Sequence, residues 1–318
     1  MLSSLLTAVL PLLPAPTVSP VDVPRAASVL VFPIHRSTPG QLTLVSVTNS
    51  SATTPTLAFF HYINVVPGTS PLLPAECQIV CRTEYLTPGD TVTVPTSCHN
   101  PGGQEGYLLV SAKDPVSGVN WSHNALIGSE LLFDIGAGTL ATLLPLPFRA
   151  LPPTGANTDL DFDGKIDFDG AEYEALPDTL LLDSFLAIAD ARLVLLNLAG
   201  DRDARVTADF RVWNDNEFPL SLQVHFRCWF QADLSSLSTL FTEAFLRGTP
   251  NDDEELDVDC DGVGDLETGW LSVVGLSATV GARTTTNPPL LGAIVPGGTR
   301  LEAGRLLWGS DGVSAGEF

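Results

Sequence analysis

Apolar and polar residues alternate along much of this chain. In residues 204–214, Val206, Ala208, Phe210 and Val212 fall on one face of an extended strand. Arg205, Thr207, Asp209 and Arg211 fall on the other. Residues 220–231 set Leu220, Leu222, Val224, Phe226, Cys228 and Phe230 against Ser221, Gln223, His225, Arg227 and Gln231. A period of two marks strands with one dry and one wet face, the habit of antiparallel sheets. Further strands are predicted over 28–34, 41–48, 56–65, 91–94, 106–112, 124–133, 180–187, 192–198, 269–274 and 289–295. Turn signals such as Pro88-Gly89 and Pro296-Gly297-Gly298 fall between them. One segment departs from the pattern. Leu234, Leu237, Leu240, Phe241, Ala244 and Phe245 follow helical spacing, which predicts a short helix over 234–247.

The pattern also repeats at long range. LTLVSVTN at 42–49 resembles RLVLLNLAG at 192–200, and Gly106-Tyr107-Leu108 parallels Gly269-Trp270-Leu271. Ala125 to Gly128 parallels Pro289 to Gly292. The glycines of these pairs are 22 and 23 residues apart. The fold class expected is therefore all-β: two tandem antiparallel β-sandwich domains, with one short helix in the second. The first would span 28–150 and the second 179–318, joined by a linker at 151–178. An insertion at 251–267 lengthens the second copy.

Charge sharpens this division. The chain of 318 residues carries 15 basic and 37 acidic side chains, a net charge of −22, yet 44% of it is hydrophobic. Such an apolar fraction excludes a wholly disordered acidic chain, and the charge excludes a phosphate-binding nucleic-acid surface. Residues 151–178 hold eight acids and one base, and 251–267 hold nine acids and no base. These two short segments thus carry most of the excess. Crowded like charges repel, so such loops either stay open in water or hold cations.

Their spacing selects the second option. The linker places Asp159, Asp161, Asp163, Lys165, Asp167 and Glu172 around Gly164. The insertion places Asp257, Asp259, Asp261, Val263, Asp265 and Glu267 around Gly262. Calcium takes six to eight oxygens, and carboxylates at alternate positions can wrap one ion if a glycine allows the chain to bend. Lys165 and Val263 would each offer a backbone carbonyl, and Asp167 or Asp265 would complete the shell. Over about 12 residues each loop resembles the calcium loops of dockerins and thrombospondin type 3 repeats, and the loop half of an EF-hand. The EF-hand's twelfth-position Glu is missing, since Gly170 and Thr268 stand there, with Glu172 and Glu267 as nearby substitutes. No flanking amphipathic helices support an EF-hand switch, so a stapling role for Ca2+ is expected.

As a whole, the chain resembles a set of uncharacterised secreted bacterial proteins with duplicated β domains. The likeness rests on the turn His99-Asn100-Pro101 before Gly106-Tyr107-Leu108, the acidic linker running into Glu172-Tyr173-Glu174, and the segment from Asn287 to Gly292. It implies export and a repeated β fold, but no activity and no catalytic residues.

Residues 1–15 are apolar and free of charged side chains, which reads as a secretory signal peptide, with a short linker to residue 27. No other apolar stretch is long enough for a transmembrane helix. Five cysteines in an exported chain would pair within each half: Cys228 with Cys260, and Cys98 with Cys77 or Cys81, leaving one over.

Signs of catalysis are weak. His35, His61, His99, His123 and His225 form no HExxH, and no nucleophile elbow or phosphate loop occurs. Asp90, Glu84 and Glu130 stand as isolated carboxylates. Trp213 and Trp229 fall opposite the apolar runs and offer an exposed platform for sugars, whereas Trp270 parallels Tyr107 as a core position. The function expected is that of a secreted, non-catalytic, calcium-binding structural or adhesive protein. It would act at the cell surface or in the extracellular matrix, with itself, a cell-surface group or a glycan as partner. A carbohydrate-binding module is the alternative, and a hydrolase the remoter one.

Overall fold

The computed structural model describes residues 25–38, 40–66, 76–102, 104–136, 138–187, 191–198, 204–214, 218–249, 257, 260, 266–296, 301–309 and 313–318. The proposed signal peptide and most of the second acidic loop lie outside them.

The N-terminal half runs β1 (Val29–Arg36), β2 (Gln41–Asn49), β3 (Thr56–Val66), β4 (Glu76–Leu86), β5 (Thr91–Pro95), α1 (Thr96–His99), β6 (Glu105–Lys113), β7 (Leu126–Asp134), β8 (Thr139–Leu143) and β9 (Leu146–Phe148). Two short strands follow in the linker, β10 (Asp167–Phe168) and β11 (Leu176–Pro177). The C-terminal half runs β12 (Thr179–Leu186), β13 (Ala191–Asn197), β14 (Arg205–Asn214), β15 (Pro219–Phe226) and β16 (Trp229–Asp233). Helical turns α2 (Leu234–Leu237) and α3 (Glu243–Leu246) flank a 3-10 turn, and then β17 (Thr268–Val280), β18 (Arg283–Thr286) and β19 (Leu290–Pro296) return to sheet. Five short strands close the chain: β20 (Leu301–Ala303), β21 (Arg305–Leu306), β22 (Trp308–Gly309), β23 (Val313–Ser314) and β24 (Gly316–Glu317).

The fold is all-β, and its sheets are mainly antiparallel. Sheet I has the order β4-β3-β6-β1-β9, and sheet II the order β5-β2-β7-β8, extended by β20 in parallel. Sheet III has the order β15-β14-β17-β12-β22, and sheet IV the order β16-β13-β19-β21. Apart from β18, which pairs with β17 at the end of sheet III, and β20, sheets III and IV repeat the connectivity of I and II strand for strand. The repeat extends to irregularities. The pairing of β1 with β6 slips between Phe32 and His35, and that of β12 with β17 slips between Leu182 and Phe185. Each slip ends opposite a glycine, Gly106 or Gly269. A Cβ at Gly106 would lie 1.9 Å from the Ile63 carbonyl oxygen, and one at Gly269 would lie 2.5 Å from that of Trp213. Only glycine lets β6 and β17 approach these carbonyls of β3 and β14, on the side away from the slip, so closely.

Three apolar clusters hold the sheets. Leu30, Phe32, Val45, Val47, Phe60 and Val110 fill the space between sheets I and II. Leu180, Leu182, Leu193, Leu195, Phe210 and Val273 do the same between III and IV. The third cluster joins the halves. Val29, Val31, Tyr107 and Leu109, on the other face of sheet I, meet Val194, Leu196, Leu291 and Ala293 of sheet IV. Linker residues Ile166, Phe168, Tyr173 and Leu176 pack in the same cluster. The central strands of sheets I and IV are thus covered on both faces. This is why β1 is buried at every position, whereas β14, with one open face, alternates.

Polar bonds cross the same junction. Trp229 Nε1 donates to the Pro33 carbonyl at 2.9 Å, and an Arg36 guanidinium nitrogen donates to Gln231 Oε1 at 3.1 Å. Cys77 and Cys228 form a disulfide across 151 residues of sequence. The expected pairs, Cys228 with Cys260 and Cys98 with Cys77 or Cys81, are therefore wrong: Cys81, Cys98 and Cys260 are free and exposed. Pairing follows which faces pack together, and Cys77 and Cys228 are both buried in the cluster between the halves.

The helix expected over 234–247 is instead three separate turns. Ser238 and Thr242 take extended backbone angles and interrupt it. The Ser238 hydroxyl accepts the Leu240 amide, which starts a new turn rather than continuing the old one. The apolar residues still reach the core: Leu234, Phe241 and Leu246 are buried.

Among the described residues, no helix is long and apolar enough to cross a membrane.

Candidate metal centre

The acidic linker is wound by its own side chains. Asn157 Oδ1 accepts the Asp159 amide, Asp161 Oδ1 the Asp163 amide, and Asp163 Oδ1 the Lys165 amide, at 3.1, 3.2 and 2.8 Å. Asp159 Oδ2 reaches across the loop to the Gly164 amide at 3.1 Å. These Asx turns bend a chain too rich in aspartate to join a sheet. Gly155, Gly164 and Gly170 take the left-handed region, and so does Phe162, at φ +64°. The same angle of +64° recurs at Cys260, which occupies the position of Phe162 in the second motif. For a side-chain-bearing residue this conformation is uncommon, and both loops adopt it one residue before the third aspartate.

The roots of the loop lie in the cluster between the halves. β10 pairs with β24, and Ile166 and Phe318 exchange two backbone hydrogen bonds of 2.7 and 2.9 Å. Tyr173 is fully buried, and its hydroxyl bonds to Thr158 Oγ1 at 2.8 Å. The carboxylates thus project from a base that cannot shift without disturbing the core.

Two sets of carboxylates converge. Asp159, Asp161 and Glu172 bring ligand oxygens within 4.8 Å of one another, as do Asp161, Asp163 and Asp167. Such groups could hold a metal ion. Oxygens on one ion at about 2.4 Å can be no farther apart than about 4.8 Å. Lys165 supplies the local positive charge. Its ammonium pairs with Asp163 at 3.3 Å and with Glu317, and its carbonyl accepts from Asn120 Nδ2 at 3.3 Å. One ammonium does not balance the set. Burial first, then the charges of Glu172, Asp163, Glu317 and Asp161, push Asp167 up to about 6. Burial likewise raises Glu172, against the pull of the Leu160 and Asp167 amides. Both shifts signal negative charge with too little compensation. Beside the loop, a cavity of about 350 Å³ is lined by Asp167, Asp169, Thr286, Asn287 and Glu317.

The five linker carboxylates named from the sequence fall in these two sets, with Glu172 the deepest of them at 3% exposed, while the Lys165 carbonyl, expected as a further ligand, is engaged by Asn120. In the second loop, Asp259, Asp261, Val263 and Asp265 lie outside the described residues. Asp257 is half-buried, and Glu267 is fully buried at the start of β17.

Elsewhere two of the tryptophans reverse their expected roles. Trp229, expected on an exposed platform, is buried at 8% exposure, because the chain leaves sheet III after Phe226 and enters sheet IV at Trp229. Trp270, expected in the core, is 40% exposed and stacks on Trp213 with ring centres 4.0 Å apart. It does correspond to Tyr107. Sheet IV covers the outer face of sheet I at Tyr107, while the matching face of sheet III is open.

The histidines serve packing and hydrogen bonding. His225 is exposed and bonds to Thr207, His61 packs on the rings of Phe59 and Phe318, and His123 bonds to Asn49. His35 lies in β1, fully buried, with Nε2 at 3.3 Å from the Ile63 carbonyl. Sequence reading did not foresee the chain from Tyr62 through His99 to Glu84, at 2.7 and 3.2 Å. Its members come from three separate elements, and no local motif announces it. Compared with known proteins, the chain matches no family model, no curated protein and no solved structure.

Proposed function

We propose that this is a secreted, non-catalytic structural or adhesive protein, built of two tandem β-sandwich domains and braced at their junction by calcium. The observation that carries the reading is the convergence of linker carboxylates on a base embedded in the cluster between the halves. An ion there would cancel the repulsion of the loop and fix the segment through which one half follows the other. The Cys77–Cys228 disulfide supports the same role, since it ties the two halves and belongs to an oxidising compartment. The second acidic loop, from Asp257 to Glu267, would hold another calcium ion. The protein would present its sheet faces and edges to copies of itself or to a surface partner outside the cell. Isothermal titration of the purified protein with calcium tests this. Heat of binding that shrinks in Asp161→Ala is expected, and no heat at all in the wild type would remove the reading.

A second reading draws on the stacked Trp213–Trp270 pair, which stands on an open sheet face. Aromatic rings of this kind can pack on sugar rings, so a glycan is its partner class. Glycan-array binding that is lost in Trp270→Ala would support it, and an array without signal would end it.

A further inference from the structure

Glu172 differs from the other carboxylates of the linker. It is 3% exposed, whereas Asp161 and Asp163 stand in solvent. Its carboxylate draws on the Leu160 amide, which Oε1 accepts, and on the Asp167 amide, yet its Oε2 is buried and makes no hydrogen bond of ordinary geometry. Asp159 Oδ1 is likewise buried without a partner. Leaving a carboxylate oxygen dry and unpaired is costly, and the cost recurs here on two side chains that face one another. These two side chains belong to the same convergent set, with Asp161 as its third member. The outer set of Asp161, Asp163 and Asp167 has no such buried, unsatisfied oxygen.

We infer that a hard divalent cation, calcium by its preference for several oxygens, is held at the inner position by Asp159, Asp161 and Glu172, with Glu172 as the anchoring ligand. This rests on the cation-binding reading above and adds where in the loop the ion sits. The alternating aspartates would by themselves point to the exposed rim of the loop. The anchor instead comes from beyond Gly170, two residues past the place where an EF-hand-like loop carries its last glutamate. The backbone delivers it there. Asp169 Oδ1 accepts the Ala171 and Glu172 amides at 2.8 and 2.9 Å, and the Glu172 carbonyl accepts the Leu151 amide at 2.9 Å. Glu172 is thus held between a tight turn and the segment that follows β9. Tyr173 follows Glu172 in the chain, and its hydroxyl bonds to Thr158, the residue before Asp159.

The test is calcium titration of the intact protein and of Glu172→Gln and Asp163→Asn. Glutamine keeps an oxygen for the Leu160 amide and removes the charge. A loss of at least tenfold in affinity for Glu172→Gln, with less than threefold for Asp163→Asn, is expected. Equal affinity for wild type and Glu172→Gln would overturn the inner site while leaving cation binding intact. No binding by the wild type would overturn both. Terbium luminescence gives a second measurement should Glu172→Gln fail to fold. Emission excited through tyrosine should appear in the wild type and largely vanish in Tyr173→Phe at unchanged calcium affinity. Emission that persists undiminished in Tyr173→Phe would place the ion elsewhere.

Discussion

Gly106 and Gly269 show how a single missing side chain can fix a strand. Each lies opposite a bulge, and each lets a backbone carbonyl approach within the space of a Cβ. Gly106→Ala must displace Ile63 or the whole of β3, and should cost about 3 kcal/mol by chemical denaturation. Alanine at Gly118, where a Cβ meets nothing but φ is +74°, should cost about 1 kcal/mol through backbone strain alone. His35 makes a prediction about pH. Burial lowers it from 6.5 to about 4, against a small opposing effect of the Ile63 carbonyl. Between those values the unfolded chain binds the proton and the folded chain does not. Its contribution to stability is therefore complete above about pH 6.5 and is lost as the pH falls towards 4. Unfolding free energy should drop by about 2–3 kcal/mol between pH 7 and 4.5, and His35→Gln should flatten that part of the slope. An unchanged slope in His35→Gln would assign the acid sensitivity to other groups. At this scale the sequence carried the glycine pairs and the linker carboxylates, because local chemistry dictates both. It could not tell Trp229 from Trp270, since their environments depend on which sheet face another sheet covers.

Strands with strong alternation or continuous apolar runs are legible as elements, among them β1, β2, β3, β6, β13, β14 and β19, and their boundaries move by only a few residues, whereas β17 runs on to Val280 from an expected end at 274. The pattern does not announce β4, β8, β9 or β18, nor the short strands of the linker and of the segment after β19. β4 is the longest of these. It is an edge strand, largely exposed, with Gln78, Arg82, Thr83 and Glu84 among its residues, so no apolar stripe marks it. The alternation from 220 to 231 predicts one strand, but Arg227 and Cys228 are the crossing between two sheets, and both Cys228 and Trp229 turn inward. Alternation beyond such a crossing says nothing about faces before it. The correction has an energetic consequence. Trp229→Ala empties a buried site and abandons the Pro33 carbonyl, so it should cost about 4 kcal/mol. Trp270→Ala removes only a half-exposed stacking partner and should cost about 1 kcal/mol. Thermal melts of the two variants would reverse that ranking if the original strand phase were right.

The halves repeat one connectivity, yet the molecule is not two beads on a string. Sheet I and sheet IV share a cluster, and a disulfide, an indole hydrogen bond and the linker all cross the same junction. Sequence repetition carried the connectivity but not this contact. The residues that meet are ordinary valines and leucines, and only tertiary packing selects their partners. The disulfide closes a long loop, so Cys77→Ser should cost about 4 kcal/mol in the oxidised protein. Equal stability of Cys77→Ser and wild type would mean that the packing alone joins the halves. The acidic linker is the remaining connection, and a cation held by its carboxylates would offset their charge. The most direct measurement is thermal unfolding of the oxidised wild type and of Asp161→Ala, each in excess calcium and in excess chelator. A melting point raised by calcium in the wild type, with most of that rise gone in Asp161→Ala, is the predicted result. Superimposable wild-type curves in calcium and chelator would contradict it.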